Sequence, residues 1–243
     1  MCTLVIAYRH FSETPLVVAA NRDEFLNRPA TEPFLWSSAP IPLVAPRDEK
    51  AGGTWLGMNA KGVFAAITNR FGASREGAFR SRGFLVLDVL AYPEAAPAAQ
   101  ALSRMPANHS NGFHMVILDA NRAFIVWNNG SILQQKELKP GIHVLTERSF
   151  GAMEPTRELW IHDELPASPD LQAFGKLLST HRDNIMDSTC VHANEQGYGT
   201  RSSTLLSLNS SWKVQESYFS TGAPCSHPYL DMRSLHLELG EEA

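Results

Sequence analysis

The sequence predicts an α+β fold in which antiparallel sheets and helices occupy separate layers. Two observations carry this expectation: a long series of short apolar or β-branched segments bounded by turn residues, and helical spacing in only a few stretches between groups of strands. A third is the set of polar turns between neighbouring segments, which favours antiparallel pairing of consecutive strands over crossovers.

Along the chain, Leu4 to Tyr8 and Leu16 to Ala20 are the first extended segments, apolar runs joined by His10-Phe11-Ser12-Glu13-Thr14-Pro15. Thr54 to Gly57 and Val63 to Thr68 follow, separated by the turn Asn59-Ala60-Lys61-Gly62. Helical periodicity marks Phe84 to Leu90 and Ala95 to Met105. Strands are then expected at Phe113 to Leu118, Ala123 to Trp127, Ser131 to Lys136 and Ile142 to Leu145. The first three of these are linked by Asp119-Ala120-Asn121-Arg122 and Asn128-Asn129-Gly130. A further helix is expected at Leu171 to His181, because Ser168-Pro169-Asp170 is a start signal. Thr204 to Leu208 and Val214 to Phe219 complete the strands. No internal repeat, low-complexity tract or linker divides the chain, so a single domain over 1–243 is expected.

Composition narrows the function. With 25 acidic and 21 basic side chains the net charge is -4, and no block of like charge marks a nucleic-acid arm. The run Leu4 to Tyr8 is too short for a signal-peptide core and lacks a basic lead-in, and no later run reaches membrane-spanning length. Cys2, Cys190 and Cys225 are an odd, sparse set, unlike a secreted disulfide framework. A cytoplasmic protein is expected, in which the Asn-x-Ser sequences at Asn108 and Asn209 carry no glycan.

The chemistry concentrates at the N-terminus. A simple hairpin between the first two strands turns near Ser12 and Glu13 and sets Cys2 roughly opposite Asp23, within about two residues of register. Thiol and polar cluster Asn21-Arg22-Asp23-Glu24 then meet at one end of a sheet. If Met1 is removed, the new α-amine, of reference pKa about 7.7–8.0, sits beside a thiol of about 8.5 and can take its proton. Nucleophile and base are then one residue; a carboxylate such as Asp23 orients the amine, and a nearby guanidinium favours the thiolate. The plainer alternative is a small buried cysteine beside an ordinary polar turn.

Asn21-Arg22-Asp23-Glu24-Phe25 followed by Arg28-Pro29 resembles the signature of the NRDE family, also called the transport and Golgi organisation 2 family. The resemblance continues through Ala45-Pro46-Arg47-Asp48, Ala51-Gly52-Gly53-Thr54-Trp55-Leu56-Gly57-Met58-Asn59, Gly62-Val63 and Thr68-Asn69-Arg70. It returns at Ser81-Arg82-Gly83 and at Tyr198-Gly199-Thr200-Arg201-Ser202-Ser203-Thr204. The family resembles the N-terminal-nucleophile hydrolases of the choloylglycine hydrolase and penicillin V acylase type, which implies a four-layer αββα sandwich with two antiparallel sheets between helical layers. Those enzymes begin Met-Cys-Thr and carry Arg-Asn-x-Asp at the end of the second strand. Asn21 and Asp23 fall on that pattern, whereas Ala20 stands where the arginine would be, leaving the guanidinium to Arg22 or another residue.

The same resemblance nominates Asn69 as an oxyanion donor, worth about 3–4 kcal/mol when correctly aimed; a strand-end turn residue is the alternative. Arg201 is implied as a contact for a substrate carboxylate or for the nucleophile, its alternative being a strand-entry residue paired with a surface acid. Where many members read Leu-Ser-Asn, this chain reads Leu145-Thr146-Glu147. An ionised carboxylate cannot donate to an oxyanion, and Arg148 is the neighbouring candidate to compensate.

Other signals lead elsewhere. Gly52-Gly53 supplies a tight turn rather than a phosphate loop, and no dinucleotide fingerprint, P-loop or Gly-x-Ser-x-Gly elbow occurs. None of the nine histidines, including His109 with His114 and the close pair Cys190 and His192, has a recognised zinc or haem-attachment spacing. Arg70, Arg75, Arg80 and Arg82 with Phe71 and Phe79 make either a solvated loop or a basic flap; Trp36, Trp127, Trp160 and Trp212 pack the core or line an apolar cavity. The expected activity is cleavage of a carbon-nitrogen amide bond in a small acylated molecule, with Cys2, Asn21, Arg22, Asp23, Asn69 and Arg201 as the site and no metal or organic cofactor. The rival is a binding or trafficking protein on the same scaffold, carrying haem or an acyl lipid.

Overall fold

The computed structural model describes residues 2–73 and 79–241. The first elements are β1 (Cys2–Tyr8), β2 (Leu16–Phe25), β3 (Phe34–Trp36), β4 (Leu43–Ala45), β5 (Leu56–Asn59), β6 (Phe64–Asn69), α1 (Arg82–Leu90) and α2 (Ala95–Ser103). Next come β7 (Phe113–Leu118), β8 (Ala123–Asn128), β9 (Leu133–Glu137), β10 (Gly141–Leu145), α3 (Thr156–Asp163) and α4 (Leu171–Leu178). The chain continues with β11 (His192–Ala193), β12 (Tyr198–Leu208), β13 (Val214–Ser220), β14 (Leu230–Asp231) and α5 (Arg233–Glu241). These form two compact units, Met1–Arg28 with Pro140–Arg233, and Pro29–Lys139 with Ser234–Ala243.

In the first unit an antiparallel sheet runs β10-β1-β2-β12-β13-β14, with β11 on β12. Strand side chains alternate between faces, and Val5, Ala7, Val17 and Ala19 all point to one core with Ile161 of α3 and Phe174, Leu177 and Leu178 of α4. Register follows from this matching: Val5 pairs with Ala19 and Ala7 with Val17, and a slip of one residue would turn every one of them away from the helices. The intervening Leu4, Ile6, Leu16 and Val18 are buried as well, which is why both strands read as unbroken apolar runs. Helix α4 starts where the sequence signals it, the Asp170 side chain accepting from the Gln172 amide at 2.9 Å. It stops at Leu178 rather than His181 because its last carbonyls find partners from outside the helix. Thr189 Oγ1 donates to Leu177 O at 2.6 Å and Asn21 Nδ2 donates to Leu178 O at 2.8 Å.

The second unit holds a sheet in strict chain order, β3 through β9, every pair antiparallel. Its core joins Val63, Ala65, Met115, Ile117 and Val126 to Leu85, Val86 and Val89 of α1 and Ala98, Ala99 and Leu102 of α2. The Ala95 amide at the start of α2 donates to Asp119 Oδ2 at 2.7 Å. The helix ends at Ser103, two residues short of the expected Met105, ahead of Pro106.

Several elements depart from the sequence expectation. The three-residue strands β3 and β4 are too short for alternation to show, and α3 has weak amphipathicity. The strand expected at Thr54 to Gly57 lies at Leu56–Asn59. More consequentially, β2 runs on through Asn21-Arg22-Asp23-Glu24 to Phe25 and β12 begins at Tyr198, six residues ahead of the expected Thr204. The two polar stretches pair with each other, Thr200 opposite Asp23 and Ser203 opposite Asn21, so their backbone groups are satisfied although their side chains are not strand-like. Among the described residues no helix is long and apolar enough to cross a membrane.

Gly52 does form the tight turn, with φ +82° and its amide on Asp48 O at 2.7 Å. Gly53 has a different role. A Cβ there would lie 2.4 Å from the backbone carbon of Gly83 at the start of α1. Gly53→Ala is therefore expected to push α1 off the loop and destabilise the protein by about 1–3 kcal/mol in urea unfolding; a variant as stable as the parent would show that the loop yields freely.

Candidate active site

The site is assembled at the end of the first unit's sheet where β1 begins. Cys2 pairs with Arg22, one residue from the expected Asp23, and Thr3 pairs with Asn21. The partly exposed Cys2 thiol points its S–H to the Asp23 carbonyl at 4.0 Å. Burial pushes this thiol up from its ordinary range, and the Asp23 charge adds to the shift, so unaided it stays protonated at neutral pH.

Asp23 is the electrostatic centre. It is buried, 3% exposed; its Oδ1 accepts from Thr200 Oγ1 at 2.7 Å, and its carbonyl accepts from Tyr198 O–H at 2.9 Å. Its other carboxylate oxygen, Oδ2, is buried without a hydrogen-bond partner among the described residues. Desolvation raises this carboxyl to about 6, against the lowering influence of Arg157 and the Thr200 bond.

Sequence reasoning missed Arg157. It is 1% exposed, rises from α3, donates to Met186 O at 2.6 Å and to Thr3 Oγ1 at 3.2 Å, and stands 3.7 Å from Glu147 Oε2. Nothing in Thr156-Arg157-Glu158-Leu159 marks this arginine as buried. Glu147, the departure noted in the sequence, is itself buried and flanked by Arg148 at 3.5 Å. The Arg148 guanidinium also donates to Thr156 Oγ1 at 2.7 Å, which ties the turn after β10 to the start of α3. That turn is closed by the Thr146 amide on Ser149 Oγ at 2.9 Å and by Ser149 Oγ on Glu158 at 2.6 Å.

The other expected residues take different places. Asn21 Nδ2 donates to Leu178 O and Thr189 O, both at 2.8 Å, so this amide ties β2 to the end of α4. Arg22 is buried cross-strand from Cys2 and lies 3.8 Å from Glu24. Arg201 is the extra residue of a bulge in β12: Thr200 pairs with Asp23 and Ser202 with Arg22. Its Nε is buried without a hydrogen bond among the described residues. Asn69 ends β6 in the second unit, with an exposed side chain. In that unit Arg70 meets buried His114 Nε2 at 2.8 Å, Arg80 pairs with Asp88, and Arg82 donates to Gly112 O at 2.9 Å. Met1 and Arg75 lie outside the described residues.

Residues 1–160 match the family model described as transport and Golgi organisation 2. The chain belongs to the transport and Golgi organisation 2 family. A homologue from Bos taurus is 35% identical, with the match covering 82% of this chain and 84% of that one. Matches to the Mus musculus and Homo sapiens homologues, 34% and 33% identical, cover 43% and 44% of this chain but only 38% and 40% of those proteins. Among solved structures, an N-acylethanolamine-hydrolyzing acid amidase orthologue from Caenorhabditis elegans superposes with a TM-score of 0.56. It is 17% identical, covering 84% of this chain and 92% of that one. Penicillin V acylase from Agrobacterium tumefaciens gives 0.55 at 16% identity, covering 100% and 89%. The family member described here thus has the N-terminal-nucleophile hydrolase fold, with two antiparallel sheets and helices, as the sequence resemblance implied.

Proposed function

We propose that the protein is a cysteine N-terminal-nucleophile amidohydrolase acting on a small acylated molecule. The observation that carries this reading is the buried Asp23 carboxylate, one oxygen of which is held by Thr200 while the other has no hydrogen-bond partner among the described residues. A desolvated, half-satisfied carboxylate is unfavourable unless it serves a cation. The α-amine of Cys2, formed on removal of Met1 and neutral at rest, is proposed to become that cation when it takes the thiol proton. Held by Asp23, that amine accepts the thiol proton as Sγ attacks the amide carbon, then returns the proton to the departing nitrogen, leaving a thioester on Cys2. Water attacks the thioester, the amine again takes and returns one proton, and the carboxylic acid leaves. Arg22, cross-strand from Cys2, favours the thiolate; Arg201, on the bulge, is proposed to receive a substrate carboxylate.

The structural neighbours named above include an amidase and an acylase, and the proposed class of reaction follows theirs. Intact-mass measurement before and after exposure to an activated acyl ester tests the proposal. The expected result is a chain lacking Met1 that gains one acyl group, mapped to Cys2 and absent in Cys2→Ala. Retained Met1, or acylation at exposed Cys225 alone, would overturn it.

A second reading, a carrier of haem or an acyl lipid, draws on a different feature. A cavity of about 560 Å³ lies in the first unit against α4, β12 and β13, lined in part by Leu171, Leu205, Tyr218 and Tyr229. Its volume falls in the range that holds small ligands, and Cys2 and Asp23 do not line it. Tight haem or fatty-acyl binding lost in Leu205→Trp and kept in Cys2→Ala would support this reading.

A further inference from the structure

We propose that His181, Cys190, His192 and Cys225 form a binding site for a four-coordinate divalent metal ion of the zinc type. One donor atom from each lies within 4.8 Å of all the others. His192 Nε2 is 3.5 Å from Cys190 Sγ and 3.2 Å from Cys225 Sγ. Bond lengths of about 2.3 Å to sulfur and 2.0–2.1 Å to nitrogen at tetrahedral angles give donor separations of roughly 3.3–3.8 Å. The two measured separations already stand at or near that range, and small rotations of exposed His181 and Cys225 bring in the rest. Hydrogen bonding alone explains the arrangement less well. A ring nitrogen carries one proton or one lone pair, and here a single nitrogen faces two sulfurs.

The fold explains how residues without a zinc-motif spacing converge. Cys190 and His192 flank Val191 at the entry to β11, with Cys190 Sγ 3.5 Å from His192 Nε2. His181 is returned to this pair by the closed loop that the Cys190 amide makes with Thr180 O, and its ring lies 5.1 Å from that of His192. Cys225 comes from a tight turn in which the Ser226 and His227 amides both donate to Ala223 O at 3.0 Å. Three separate segments thus contribute ligands. Two thiolates and two neutral imidazoles neutralise a dication and leave no open position, the signature of a structural site.

The site is linked to Asp23 through Val191 and Thr200. Val191, between two of the ligands, donates to Thr200 Oγ1 at 2.8 Å and accepts from the Thr200 amide at 2.9 Å. Thr200 Oγ1 in turn donates to Asp23. A metal ion here fixes the segment that orients the carboxylate.

Cobalt substitution tests the proposal on the full-length protein, reduced with a non-thiol reductant. One Co²⁺ per chain is expected to give tetrahedral visible bands and thiolate-to-cobalt charge transfer, both removed by one equivalent of Zn²⁺. Cys225→Ser, at an exposed position, should lose the charge-transfer intensity of its sulfur and bind at least about tenfold more weakly, as should His181→Ala. Cys2→Ser should keep the bands, which separates this site from the amidohydrolase proposal. A reduced, folded parent that gives no bands, bands unchanged in Cys225→Ser and Cys190→Ser alike, or a Cys190–Cys225 disulfide that forms despite excess Zn²⁺ would overturn it.

Discussion

Replacing Arg157 with methionine is expected to destabilise the protein by about 3–5 kcal/mol in denaturant unfolding. The guanidinium is almost completely buried, and its loss leaves Glu147, itself 5% exposed, with Arg148 as its remaining ion-pair partner among the described residues. The Met186 carbonyl and the Thr3 hydroxyl lose their donor at the same time. The cost lies mainly in the uncompensated carboxylate, so adding Glu147→Gln should restore much of it, and a double-mutant cycle should show strong coupling between the two positions. Additive losses would mean that Arg157 acts through packing alone. A readout beyond stability separates these cases further. Arg157 holds the Asp23 carboxyl down, so the methionine variant should titrate Asp23 at higher pH than the parent.

Much of the fold was legible because apolar runs and turn residues are local signals. The first hairpin, the β6 to β9 meander and the start of α4 at Asp170 all follow from periodicity and turn chemistry. The polar ends of β2 and β12 were not legible as strand, because what holds Asp23 opposite Thr200 is a partner far along the chain. The site divides along the same line. Cys2 and Asp23 were visible from a hairpin register that proved one residue off. Thr200 and Arg201 were visible only as a family block, and Arg157 not at all, since a buried arginine on a short helix has the same sequence signature as an exposed one. The convergence of His181, Cys190, His192 and Cys225 was not legible for a related reason, the four being distributed over three segments rather than set at motif spacing.

Asp23→Asn is the substitution in which stability and activity should move in opposite directions. The carboxyl is raised from 3.8 to about 6 by burial, so between about pH 4 and 6 the folded chain binds more protons than the unfolded one. Stability contributed by this group is therefore full at low pH and is lost as pH rises through 6. At neutral pH the buried charge costs up to about 3 kcal/mol. Asparagine is neutral and keeps an oxygen to accept from Thr200, so the variant should be more stable than the parent at pH 7 by up to that amount, with the difference vanishing below pH 4. Turnover should fall by about 10²–10⁴, because the amide no longer offers the Cys2 amine a counter-charge, and parent turnover should rise with pH through 6 as Asp23 ionises. Parallel urea titrations at pH 3.5 and 7 check the first half, and a pH–rate profile checks the second. An asparagine variant that is less stable at pH 7 would show that a cation already satisfies the carboxylate in the resting protein. A charge kept buried at a stability cost, and relieved by the same change that stops turnover, would mark Asp23 as held for chemistry rather than for the fold.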